Sequence, residues 1–143
     1  MRVPGFLAFS IAVLLLGCDN KPAAVHRVEI RKLPGDLVEL VPKEGNPPYC
    51  LAYSIAEKGT IRQLTMNDAN EAFECPAAEP IGKTTYRIPK KEGKAKIFVI
   101  FTDQKISSAT LATQIGDLGT PSFNALDLRV PGKAVSDVVE YEP

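Results

Sequence analysis

The sequence predicts a mostly β protein: a β-sandwich or a small barrel with one short helix near residues 108–117. Three observations carry that expectation. Short runs of alternating apolar and polar residues are cut by turn signals at about 8–12-residue spacing. Ten Gly and twelve Pro in 143 residues favour turns and short elements over a helical bundle. Ala95–Phe101 is apolar on both faces from Ile97 onward, as a central strand covered on two sides requires. The length suits one domain, and an apolar content of 45% is enough to pack a core, which excludes disorder along the whole chain. Seventeen Lys and Arg balance 17 Asp and Glu, and no local Arg/Lys cluster suits a nucleic-acid backbone, so a nucleic-acid partner is not expected.

Residues 1–17 read as a signal peptide. Arg2 precedes the apolar run Phe6–Leu16, which is shorter than the roughly 20 residues a membrane-spanning helix needs. No acidic residue occurs before Asp19, so nothing opposes insertion with Arg2 inside. Leu15-Leu16-Gly17-Cys18 resembles the lipobox of bacterial lipoproteins. The resemblance implies a diacylglycerol thioether on Cys18, cleavage before it and acylation of the new amino group. Two or three acyl chains, at roughly 0.8 kcal/mol per buried CH₂, hold a protein on a membrane where one chain does not. The alternative is an ordinary secretory signal in which Cys18 is incidental. Cleavage removes Arg2 and no carboxylate, leaving 16 basic and 17 acidic residues, a net charge of about −1. In enterobacterial lipoproteins an Asp after the lipidated cysteine resembles an inner-membrane retention signal. Asp19 therefore points to the periplasmic face of the inner membrane, with the outer membrane as the alternative. Residues 18–24 would be the lipidated N-terminus and tether, and residues 25–143 a single β-rich domain.

With Cys18 lipidated, Cys50 and Cys75 remain, and an even remainder in an oxidising compartment suggests a disulfide. It would close a loop of about 26 residues, for roughly 3.5 kcal/mol by loop entropy, with Cα atoms about 4.4–6.8 Å apart. Two buried free thiols are the main alternative. A redox couple would want C-x-x-C spacing, and a zinc site two further ligands.

Val25–Lys32 alternates, with Val28 and Ile30 on one face and Arg27, Glu29 and Arg31 on the other. Pro34-Gly35-Asp36 signals a turn, Leu37–Val41 a second strand and Pro42–Pro48 a loop. Tyr49–Ala56 sets large residues (Tyr49, Leu51, Tyr53, Ile55) against small ones (Cys50, Ala52, Ser54, Ala56), a face fit for close packing beside a disulfide. Glu57-Lys58-Gly59 is a hairpin turn leading into a strand over Thr60–Met66. Asn67–Glu74 reads as a helical turn or loop, Pro76–Pro80 as irregular, Thr84–Ile88 as a short strand and Lys90–Lys94 as a charged turn. After Ala95–Phe101, Ser107-Ser108 is the predicted cap of the helix, with Leu111, Ile115 and Leu118 on its apolar face and Gly119 as its stop. Ser122–Val130 alternates as a strand through Leu126, Leu128 and Val130. Pro131-Gly132 turns, and Ala134–Glu142 is the last strand, with Val135, Val139 and Tyr141 on one face.

The stretch Tyr49–Ile115, with its strand, glycine turn and returning strand, the short strand ending at Pro89 and then KIFVIFTDQKI before a Leu-bearing helix, resembles a small all-β domain of unknown function found in bacterial envelope and signalling proteins. That resemblance implies binding of a ligand or partner and supplies no catalytic residue.

Several other motifs carry candidate chemistry. Ala77–Thr84 formally matches a relaxed phosphate loop, but Pro80 has no N–H, Glu79 opposes phosphate and a strand rather than a helix follows, so no nucleotide is expected. His26, the sole histidine, is expected on the surface near the tether. Asn67, Asp68, Asn70 and Glu71 are oxygen-rich but lack calcium-loop spacing, so neither metal nor other cofactor is expected. Lys90, Lys91, Lys94 and Lys96 suit a hairpin tip or anionic headgroups. Tyr49, Tyr53, Tyr86 and Tyr141 suit core edges or a face for a peptide or glycan. The expected role is a lipid-anchored binding or scaffold module without enzymatic activity. The alternatives are an envelope hydrolase using Asp36, Asp68 and Glu71, or a structural or regulatory accessory of a larger complex.

Overall fold

The structure, a computed structural model, describes residues 25–118 and 128–143. The signal peptide, Cys18, Asp19 and the tether, and likewise Gly119 and residues 122–127, lie outside the described residues.

Two sheets and one helix make three layers. β1 (Val28–Leu33) and β2 (Leu37–Pro42) form an antiparallel hairpin, and β6 (Tyr86–Arg87) adds to β2. The turn puts Gly35 and Asp36 at φ of 81° and 64°, which Gly and Asp tolerate better than other residues. The second sheet is built on β3 (Tyr49–Ala56) and β7 (Ala95–Thr102), which pair along all eight residues. β8 (Ala134–Tyr141) flanks β7, while β4 (Ile61–Gln63) and β5 (Phe73–Glu74) share the other edge of β3. The sheets do not close on each other, so the fold is sandwich-like and the barrel alternative is set aside.

The pairing of β3 with β7 explains how both faces of this sheet are filled. Toward the first sheet, small residues meet large ones: Cys50 opposite Phe101, Ala52 opposite Val99, Ser54 opposite Ile97. That face packs on Val28, Val38, Leu40, Tyr86 and Ile88. On the other face Leu51 opposes Ile100 and Tyr53 opposes Phe98, and this bulkier surface is roofed by Leu111 and Ile115 of α1 (Ser108–Leu118) with Ile106 and Ala72. Each large side chain buried this way contributes roughly 1.5–3 kcal/mol. The doubly covered strand expected at Ala95–Phe101 is present, and β3 is its equal, buried from Cys50 to Ala56.

Three expectations are corrected. Thr60–Met66 keeps only three strand residues, because the Thr65 hydroxyl takes the place of a backbone acceptor and receives the Ala52 N–H at 2.9 Å. Asn67–Glu74, by contrast, takes the loop form of the two expected. It closes on itself through Asn67, whose side-chain oxygen accepts the Glu71 N–H and whose amide donates to the Glu71 carbonyl, and it then delivers β5. Ser108 does not cap α1 with its side chain; its hydroxyl donates to the Asn70 carbonyl at 2.9 Å. Residues 128–130 are not strand. Instead the Gln114 side chain accepts the Arg129 N–H (2.7 Å) and donates to the Arg129 carbonyl (2.8 Å), as a neighbouring strand would. Among the described residues no helix is long and apolar enough to cross a membrane.

Candidate functional site

Asp137 is a charged residue at an inward position of β8, on the face that carries Val135, Val139 and Tyr141, and it is 8% exposed. Alternation along β8 marks it as a charge among inward apolar residues, the one signal in the sequence that points to it. Its Oδ2 accepts the N–H groups of Arg27 (2.6 Å) and Val28 (3.0 Å), and its Oδ1 lies 3.0 Å from Nδ1 of His26. A carboxylate accepts only, so in this contact Nδ1 carries the proton. One buried side chain thus satisfies the amides at the entry to β1 and the imidazole, and it joins the two sheets where the described chain begins. His26 is half-exposed, as expected for the first strand, but it is held rather than free. Farther along the same seam, Lys32 donates to the Glu142 carbonyl and lies 5.0 Å over the Tyr141 ring.

At the end of the central sheet away from the disulfide lies an open groove of about 600 Å³. Its floor is one cross-strand row, Ile55–Lys96–Glu140, set by the register of β3, β7 and β8. The turn at Glu57–Gly59 walls one side, and Lys94 with Glu142, 3.9 Å apart, walls another. Acids and bases alternate around the groove, and Lys96 and Glu140 bring both signs of charge into its floor beside the apolar Ile55. Such a lining offers donors and acceptors to an extended polar ligand and has no single sign of charge to favour a bare anion or cation.

The Cys50–Cys75 disulfide is present, with Cα atoms 5.8 Å apart and both residues buried. The Cys75 N–H donates to the Pro48 carbonyl at 2.8 Å, so the bridge and this bond together fasten the chain after β5 to the start of β3. Ala77–Thr84 is a turn containing a short 3₁₀ segment, Ile81–Lys83. Gly82 sits there at φ 68° against Phe73 and Tyr86, and the Lys83 N–H is used by the Pro80 carbonyl. Asn67 spends both side-chain groups on Glu71, whose carboxylate lies 4.0 Å from Lys105. Among the described residues no group of three or more His, Cys, Asp or Glu is placed to hold a metal.

The lysine run divides its contacts: Lys90 faces Asp36 at 3.8 Å, Lys94 faces Glu142, and the Glu92 between them binds Arg62. Asp36 sits at the β1–β2 turn, on a different sheet from the Asn67–Glu71 loop that carries Asp68 and Glu71, and Asp36 and Glu71 face different lysines, Lys90 and Lys105. The tyrosines do not share a face. Tyr86 and Tyr141 lie in the core between the sheets, Tyr49 and Tyr53 in the core beneath the helix. Tyr53 donates to the Ser108 carbonyl (3.1 Å) and Tyr86 to the Ile81 carbonyl (2.8 Å), and burial pushes both phenols up to about 12.

No known protein family, curated protein or solved structure matches this chain.

Proposed function

We propose that this is a lipid-anchored protein of the bacterial cell envelope, with its lipid on Cys18 and a β domain that serves as a binding or scaffold module. The single observation that carries the reading is the buried Cys50–Cys75 bridge. A structural disulfide favours an oxidising compartment, and it leaves Cys18 as the odd cysteine, placed directly after an apolar run and a glycine. The periplasmic face of the inner membrane is the favoured location because Asp19 follows Cys18. The groove at Ile55, Lys96 and Glu140 is the natural place for a protein segment, peptide or glycan.

Labelling of growing cells with a radioactive fatty acid tests the reading. The intact chain incorporates label, and Cys18→Ser abolishes it. Label absent from the intact chain, or undiminished in the variant, overturns the reading.

A further inference from the structure

β8 ends the central sheet, and no described strand pairs with its outer side. Its eight residues run beside β7 in unbroken register and contain neither proline nor lysine, so little blunts the row of N–H and C=O groups it presents. Val138, opposite Phe98 on the helix side of the sheet, is 37% exposed. Such an edge is a template for another strand, and the charge pattern selects which.

We propose that β8 pairs antiparallel with β8 of a second copy of this chain, about a two-fold axis through Val138. An axis perpendicular to the sheet keeps each face on its own side, so residues set opposite each other must share a face and the axis must pass through a residue position. The midpoint of Ala134–Tyr141 falls between Asp137 and Val138, so registers centred on these two give the longest overlap. Centring on Asp137 sets two buried carboxylates directly opposite each other, which is repulsive and leaves charge out of water. Centring on Val138 puts the two exposed valines together. It also places Asp137 opposite Val139, Ser136 opposite Glu140 and Val135 opposite Tyr141 of the second copy, and no like charges are directly opposed. Asp137, an inward charge of the kind that discourages edge pairing, is already held by His26 and the Arg27 and Val28 amides. The product is one continuous sheet eight strands across, with both helices on one side of it. The pairing does not rest on the lipid anchor.

The test uses the full chain with Cys18→Ser, which removes both the lipid site and a stray thiol, and compares Val138→Cys with Ser107→Cys, a substitution at an exposed residue remote from β8. Under mild oxidation, Val138→Cys forms a covalent dimer at least about ten-fold faster than Ser107→Cys, because pairing raises the local thiol concentration. Sedimentation shows a dimer for the chain with Cys18→Ser alone and a monomer when Val138→Lys is added. Equal rates at the two cysteines, a monomer without Val138→Lys, or cross-linking of Val138→Cys to a different protein overturns the proposal.

Discussion

Asp137 bears three contacts on one carboxylate, and it is the residue on which the joint between the sheets depends. Asp137→Ala strands the Arg27 and Val28 amides and lowers stability by about 2–3 kcal/mol, read from urea midpoints. Asp137→Asn keeps one carbonyl oxygen and loses clearly less. Equal stability of Asp137→Ala and the parent chain would contradict the clamp. Its partner His26 is 111 residues away in sequence, which is why neither role could be read there. Periodicity describes what one strand does, and it says nothing about which distant strand end a carboxylate will meet. The tyrosines teach the same lesson. The core positions expected for them are the ones they take, but the division between two cores depends on sheet order.

The edge of β3 shows how an element is completed by unlike parts. β4 pairs with residues 53–55, β5 with residues 49–50, and Thr65 receives the Ala52 N–H between them. Thr65→Val retains the shape and removes the acceptor. The expected loss is about 1–3 kcal/mol, measured by denaturant unfolding, and a value near zero would mean the hydroxyl is dispensable. The long elements were legible from sequence because their signal is dense. β3 and β7 show a large–small alternation and a doubly apolar run, and α1 shows Leu111 and Ile115 four residues apart. The short ones were not. β5 has two residues, too few for any period, and the apparent strand at Leu128–Val130 is a segment that Gln114 holds by imitating strand pairing. The disulfide was legible as a pair, since only two cysteines remained, and its place beside the small face of β3 was legible too, whereas the Cys75 N–H bond to the Pro48 carbonyl was not.

On the scale of the whole molecule, Tyr53 ties the helix layer to the central sheet, and Tyr86 ties the turn at Ile81 to the first sheet. Both phenols ionise near 12 when folded and near 10 when unfolded, so the unfolded chain gives up these protons first. The stability they contribute is therefore fully present below pH about 10 and is lost as the pH rises from there toward 12. Thermal unfolding followed across that window falls steeply for the intact chain and less steeply for Tyr86→Phe. A flat profile would show that the phenols are not held away from water. The same three-layer body, stapled at one end and clamped at the other, is the module that the account places outside the cytosol on a lipid.

The most direct check is intact and peptide mass spectrometry of the chain taken from its own membranes. The account predicts an N-terminal peptide that begins at an acylated Cys18, and a Cys50–Cys75 peptide pair lighter by two hydrogens. A bare thiol at position 18 with residues 1–17 still attached, or unlinked thiols at 50 and 75, would contradict it.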